Sequence, residues 1–274
     1  MTTVPLSFSM SILLAADPLL DRVGLAVDAG YRTLESWWPW DEGVPAPEDL
    51  NRFAATVLDR GARLYLLNLT EGAPEHGGRG LAGVPSQESE FWSNARSALD
   101  LGRRTGTRYF NVLAGNVPAE GAAPGLAVLE ERLVALGDLA AESGIGLLVE
   151  QLNSVDHPDY LLGDPERVIE LLARVKQRTK GEVGMLADLY HLARSGTDPV
   201  AFVDANHAVI GHVQLADYPG RGRPGSGSIP IARVLEALRR NGYAGMIGLE
   251  YRPDTDLMPG PDDFWRELIG GRTS

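Results

Sequence analysis

The chain has 274 residues and a net charge of −12 from 25 basic and 37 acidic side chains, a length that suits one large α/β domain or two small ones. It contains no cysteine, which excludes disulfides, thiolate catalysis and thiolate metal sites, and its acidity argues against nucleic acid, whose phosphates need a basic footprint. No apolar stretch approaches the roughly 20 residues that span a bilayer, and Met1-Thr-Thr-Val-Pro-Leu lacks the basic and apolar regions of a signal peptide, so the expectation is a soluble cytoplasmic protein without a membrane partner.

In chain order, Pro5–Met10 reads as a first strand and Asp17–Ala29 as a helix, with Asp17 as cap and Pro18 in the first turn. Arg32–Ser36 is a second strand. Pro47–Gly61 is helical, with Leu50, Phe53, Ala54, Val57 and Leu58 on one face. Ala62–Leu69 is a third strand, and the glycine-rich loop Gly72–Pro85 leads to a helix from Ser86 to Thr105 opened by a Ser-Gln-Glu-Ser cap region. Thr107–Ala114 is a fourth strand and Gly125–Ser143 a helix. Four short apolar runs follow: Ile145-Gly-Leu-Leu-Val149, Val183-Gly-Met-Leu-Ala187, Ala208-Val-Ile-Gly-His-Val213 and Gly245-Met-Ile-Gly-Leu249. Helices are expected near Pro165–Lys180, Pro199–Asn206, Pro230–Asn241 and Asp262–Ile269. Eight strands alternating with eight helices predict a (β/α)8 TIM barrel, about 250 residues in its usual form, as a single domain over 1–274. The rival, a doubly wound open sheet, would place a glycine-rich phosphate loop after the first strand; here that strand runs into Ser9-Met-Ser-Ile-Leu-Leu.

Each of the last four runs ends on a polar residue: Glu150, Asp188, Gln214 and Glu250, spaced by 38, 26 and 36 residues. Such spacings are the lengths of strand-helix-strand units. Side chains alternate along a strand, so Gly146, Leu148 and Glu150 share a face, as do Gly184, Leu186 and Asp188; His212 and Gln214; and Met246, Gly248 and Glu250. Polar tips over small residues fit a barrel interior with its site at the carboxyl end. Three acids and a carboxamide form an all-oxygen set of the kind hard divalent cations prefer. Taken singly, each could instead be a turn former or helix cap.

Glu150 and Glu250 are the candidate acid–base pair. Moving a proton between adjacent carbons of a hydroxy-carbonyl compound needs a base beside the C–H and a Lewis acid that stabilises the enediolate. Either glutamate could instead be purely a ligand or an ion-pair partner. His191 could hydrogen-bond substrate oxygens at the mouth or cap the next helix. His212 points inward one layer deeper; it is a candidate substrate contact, though a hydrogen-bonded supporting or core role suits its depth better. His157 is a weaker candidate, His76 a candidate lid residue, and His207 the start of a strand at the far end. Arg79 and Arg221, on glycine-rich loops, could grip a substrate carboxylate or remain solvated. Trp37, Trp38 and Trp40 could wall the pocket or pack against another subunit, which leaves room for a homo-oligomer.

Several segments resemble hydroxypyruvate isomerase: Glu150-Gln-Leu-Asn153 with Asp156 and Pro158, Ala187-Asp-Leu-Tyr-His191, Gly211-His-Val-Gln-Leu-Ala216, Pro219-Gly-Arg221, Gly242-Tyr243 and Gly248-Leu-Glu-Tyr-Arg-Pro253. Leu67-Asn-Leu69, Gly78-Arg-Gly80 and Leu113-Ala-Gly115 extend the likeness over nearly the whole chain. The parent group is the xylose isomerase-like TIM barrels. The resemblance implies a divalent metal, magnesium or manganese, on Glu150, Asp188, Gln214 and Glu250. It also implies Glu150 and Glu250 as acid and base, and hydroxypyruvate and tartronate semialdehyde, or a close 2-oxo acid pair, as substrates. Glutamine at 214 favours this over the similar sugar 3-epimerases, which usually carry histidine there. The alternatives are a ketose 3-epimerase and a non-catalytic metal- or sugar-binding barrel. One departure stands out. Where the family reads Arg-x-Glu-Pro and then Gly-Glu-Ile-Asn, this chain has Arg221-Gly-Arg223-Pro224 and Gly227-Ser228-Ile-Pro230, at positions expected to flank the pocket.

Overall fold

Eight short parallel strands close into a barrel in strict sequence order. They are β1 (Leu6–Ser9), β2 (Thr33–Ser36), β3 (Arg63–Asn68), β4 (Tyr109–Asn111), β5 (Gly146–Glu150), β6 (Val183–Asp188), β7 (Ile210–Leu215) and β8 (Ile247–Leu249). The computed structural model describes residues 4–72, 78–253 and 259–270. Every residue of β5 and β6 is buried, as expected for parallel strands covered on both faces. The helices are α1 (Met10–Leu13), α2 (Leu19–Asp28), α3 (Pro47–Asp59), α4 (Glu88–Thr105), α5 (Ala122–Ala141), α6 (Pro165–Lys176), α7 (Leu189–Arg194), α8 (Pro199–Asn206), α9 (Ile231–Arg240) and α10 (Pro261–Gly270). The TIM barrel expectation is borne out. Helix α9 illustrates how the ring packs: Ile231, Val234, Ala237 and Leu238 recur at helical spacing and are buried, while Arg239 and Arg240 close its solvent side.

Several expected boundaries move. The first strand stops at Ser9, because Met10 opens α1; α1 and α7, one-turn helices at strand tips, were not anticipated. Asp17 does not cap α2, whose cap position is Pro18. The Ser86 region forms a 3-10 turn, Pro85–Gln87, and α4 starts at Glu88 without a side-chain cap. Gly106 ends α4 with φ 70°, a left-handed conformation that glycine adopts without penalty. Leu58 leaves the buried face of α3 and is exposed. The fourth strand is short because the backbone beyond it serves a loop rather than the ladder: Ala82 N–H donates to Leu113 O at 3.3 Å and Gly83 N–H to Ala114 O at 2.7 Å.

Inside the barrel, Tyr65, Leu66, Tyr109, Leu148, Leu186 and Met246 form an apolar plug. The register then sets what lies above it. Glu150 pairs with Leu186, Leu186 with His212, Asp188 with Gln214, Gln214 with Gly248, and Gly248 with Ser7. Polar residues thus fill the layer at the carboxyl ends, where barrels of this class carry their sites.

Candidate active site

The mouth holds a cavity of about 280 Å³, lined among others by Trp37, Glu150, His191, Arg221, Glu250 and Arg79. Glu150 ends β5 and is buried; Asn111, at the end of β4, donates Nδ2–H to its Oε2 at 2.7 Å. Asp188 ends β6, and its Oδ1 accepts from Tyr190 N–H at 2.8 Å, which caps α7. The expected capping role of a strand-tip acid is therefore seen in Asp188, while its other oxygen, Oδ2, meets Arg221 Nη2 at 2.9 Å. Glu250 lies just beyond β8, where Trp37 Nε1–H donates to Oε1 at 2.8 Å and Arg221 Nη2 to Oε2 at 2.5 Å.

Charge is poorly balanced here. Glu35, Glu150, Asp188 and Glu250 are all buried, and Arg221 is the guanidinium that bridges two of them. Burial, reinforced by the charges of Glu250 and Asp188, lifts the Glu150 carboxyl well above its ordinary value. Burial also raises Asp188, against the pull of Arg221. Glu250 is pushed up to about 7, chiefly by burial, with Arg221 opposing and Asp188 adding to the rise. Burial would lower Arg221, but Glu250, Asp188 and Glu150 outweigh it and raise its pKa.

His191 is buried and lines the cavity. Its Nδ1 accepts from Asn153 N–H at 3.1 Å, and its Nε2 lies 3.4 Å from Arg221 Nη1. Burial first, then Arg221 and His157, hold its pKa well below the usual histidine value. Nε2 lies 3.7 Å from Asp188 Oδ2. Glu150, Asp188 and His191 form a buried group, with one ligand atom of each within 4.8 Å of the others, that could hold a metal ion. His191 thus stands with the oxygen donors, a proximity the strand-tip reading did not include. Gln214 brings a further donor: its Nε2–H goes to Glu35 Oε2 at 2.8 Å, whereas Oε1 is buried with no partner. Carboxylates, an unpartnered amide oxygen and a deficit of positive charge together fit a divalent cation.

The other candidates divide between the cavity and places outside it. His212 does not reach the cavity; its Nε2 meets Glu35 Oε1 at 2.7 Å beneath the site. Arg79 lines the cavity with φ 64° and pairs with Glu71 at 3.2 Å. His157 lines it too, with its pKa lowered to about 4 by burial and by Arg79. His207 opens the 3-10 turn ahead of β7 at the far end. His76 lies outside the described residues. The tryptophans divide: Trp37 walls the site, whereas Trp38 and Trp40 stack 5.1 Å apart and Trp40 meets Phe53 at 5.7 Å, within the chain's own core. Arg223 and Ser228 do not flank this cavity, contrary to expectation. Arg223 pairs with Glu267, and Ser228 Oγ donates to Tyr218 O at 2.9 Å. The loop carrying Arg221 is held by Asp217, which accepts from Tyr218 and Ile229 N–H at 2.8 and 3.0 Å.

Glu35 and Asn111 were not anticipated. Glu35 stands in β2 at a shift of register between Leu34 and Glu35, and its carboxylate accepts from Ser7 Oγ, His212 and Gln214. The signal available in the sequence was an acid inside a four-residue strand.

A parallel eight-stranded barrel with an acid-rich carboxyl-end cavity defines a class, and comparison narrows it. The chain belongs to the xylose isomerase-like TIM barrel family, whose family model matches residues 23–270. A Streptomyces coelicolor protein that carries a provisional hydroxypyruvate isomerase name is 40% identical over 255 residues, 90% of each chain. The hydroxypyruvate isomerase of Escherichia coli K12 is 29% identical over 256 residues, covering 93% of this chain and 95% of that one. A solved Brucella melitensis structure, described as an AP endonuclease of family 2, superposes with a TM-score of 0.85 at 25% identity, over 97% of this chain and 99% of that one. These relatives place the chain among the isomerases of the family. No helix among the described residues is long and apolar enough to cross a membrane.

Proposed function

We propose that the chain is a metal-dependent isomerase that interconverts hydroxypyruvate and tartronate semialdehyde, or a closely related pair of 2-oxo acids, in the cytoplasm. The observation that carries the reading is the convergence of Glu150, Asp188 and Glu250 in one buried mouth, where a single guanidinium, Arg221, pairs with Asp188 and Glu250. Glu150, Asp188, Gln214 and Glu250 would hold the cation, magnesium or manganese, with His191 close by. When bound, the cation supplies a Lewis acid that polarises the substrate carbonyl.

The chain's own groups do the rest. One glutamate takes the proton from C3 of hydroxypyruvate and returns it to C2, while the proton on O3 passes to O2. Glu250, whose carboxyl burial raises above its ordinary value, stands in the mouth where it can hold and release a proton. Glu150 faces the same cavity and serves the other side of the substrate. His191 offers Nε2–H to a substrate oxygen. The substrate carboxylate meets Arg221, with Arg79 on the rim. Trp37 orients Glu250 and shields it from water.

The test is turnover of hydroxypyruvate and of tartronate semialdehyde with magnesium or manganese, beside a panel of free ketoses. Turnover of the acids supports the reading. Activity on neutral ketoses alone would move it to an epimerase. Tight metal binding with no proton exchange on any hydroxy-carbonyl compound would mark a non-catalytic binding barrel.

A further inference from the structure

Glu35 has no part in the proton transfer just described, yet it is buried directly beneath the site. Three donors converge on its carboxylate: Ser7 Oγ, His212 Nε2 at 2.7 Å and Gln214 Nε2 at 2.8 Å. An ionised carboxylate offers acceptors only, so the neighbouring carboxamide must turn its nitrogen toward it. The oxygen of Gln214 is then left over, buried and without a partner. Such an atom is costly unless something meets it.

The space for this arrangement is built into the barrel. Gly248 lies between Ser7 and Gln214 in the register. A Cβ on Gly248 would overlap the Glu35 carboxylate. Glu35 reaches this spot from β2, where the register shift pairs Leu34 with Leu64 but Glu35 with Leu66.

We infer that Glu35 is a positioning residue: it fixes the Gln214 carboxamide so that Oε1, not Nε2, is the atom offered to the cation. The inference rests on the metal reading above. It also accounts for an amide, rather than an acid, at position 214. A carboxylate there would face Glu35 across the same 2.8 Å contact with no proton between them.

The variant Glu35→Gln keeps size and shape but can present either a donor or an acceptor, so Gln214 loses its fixed orientation. Calorimetric titration of the full chain with Mn²⁺ should show affinity falling at least about tenfold, the low end for loss of a group that orients a metal ligand. Melting in EDTA, followed by circular dichroism, should change little. Ser7→Ala removes one donor from Glu35 but leaves the Gln214 contact, and should lose far less affinity. The double variant Glu35→Gln/Gln214→Glu restores one carboxylate and one carboxamide across the contact. It should recover Mn²⁺ affinity to within about threefold of wild type, and it carries the test if the single variant does not fold. Wild-type affinity in Glu35→Gln, equal losses in Glu35→Gln and Ser7→Ala, or a double variant no better than the single one would each overturn the inference. A wild-type chain that takes up no Mn²⁺ would instead remove the metal reading, and the inference with it.

Discussion

Arg221 Nη2 lies 2.5 Å from Glu250 Oε2 in the barrel mouth. The same nitrogen lies 2.9 Å from Asp188 Oδ2, so one guanidinium compensates two acids at the carboxyl ends of β6 and β8, across the intervening β7. Arg221 holds this place with φ 57°, a conformation non-glycine residues rarely adopt, on a loop tied down by Asp217. A charge pair this buried makes the site sensitive to any change in the balance of cations around it.

Replacing Glu250 by glutamine tests the proposed base. The amide is nearly isosteric and keeps one oxygen for a cation, but it has no basic site near neutral pH. Turnover should fall by at least about a hundredfold, the usual minimum for a positioned acid–base group. With metal saturating, the melting temperature should be nearly unchanged. Near-normal turnover would show that Glu250 is only a ligand and would leave Glu150 as the sole candidate base.

Arg221→Ala should have two separable effects. It strands Asp188 and Glu250 without their guanidinium, and removing one member of a buried charge pair typically costs about 3–5 kcal/mol. Saturating Mn²⁺ should offset much of this, so the loss of melting temperature is larger in EDTA than with metal. Independently, KM for an acidic substrate should rise steeply while a neutral ketose is barely affected.

Acid stability should reveal the Asp156 cluster. Arg194, and against burial also Tyr190 and Asn153, hold the Asp156 carboxyl at about 2. Because the folded value lies below the unfolded one, about 3.9, this group stabilises the fold above that pH and the contribution is lost as pH falls toward 2. Asp156→Asn should therefore unfold at lower urea than wild type at pH 6, and the two midpoints should converge as pH drops through that window. A gap that persists unchanged at low pH would mean that packing, not charge, is the cause. The carboxylate is a third exposed, so the effect should be modest.

Gly248→Ala adds a methyl group against a carboxylate that three donors hold in place. Flexible side chains would yield at little cost; Glu35 cannot. Chemical unfolding should report a loss of about 1–3 kcal/mol, as for overpacking elsewhere. An alanine variant as stable as wild type would show that Glu35 moves freely.

How much of this was legible without coordinates depends on where the information lies. Glu150, Asp188, Gln214 and Glu250 each end a local apolar run, so spacing and alternation suffice to find them and to predict the barrel. Helix α8, Pro199–Asn206, agrees with expectation at both ends because Asp198 and proline mark its start locally. Glu35 was invisible for the opposite reason. Its partner His212 is 177 residues away, its space comes from a glycine on β8, and a register shift puts it there. The arrival of His191 beside Glu150 and Asp188 likewise depends on α7, a one-turn helix nucleated by Asp188 itself. The expected placement of Arg223 and Ser228 beside the pocket failed because the loop folds back through Asp217 and Tyr218, where Arg223 pairs with Glu267 and Ser228 with Tyr218 O.

The central claim is that a cation and a glutamate together move a carbon-bound proton, and solvent exchange reads that step directly. Hydroxypyruvate incubated in D₂O with the chain and Mn²⁺ should give tartronate semialdehyde that carries deuterium at C2, and should itself take deuterium into C3 as the intermediate reverts. EDTA should abolish both, and Glu250→Gln should slow both together. Isomerisation that continues undiminished after complete removal of metal, or a wild-type chain that binds Mn²⁺ and substrate yet neither isomerises it nor exchanges its C3 proton, would contradict the account.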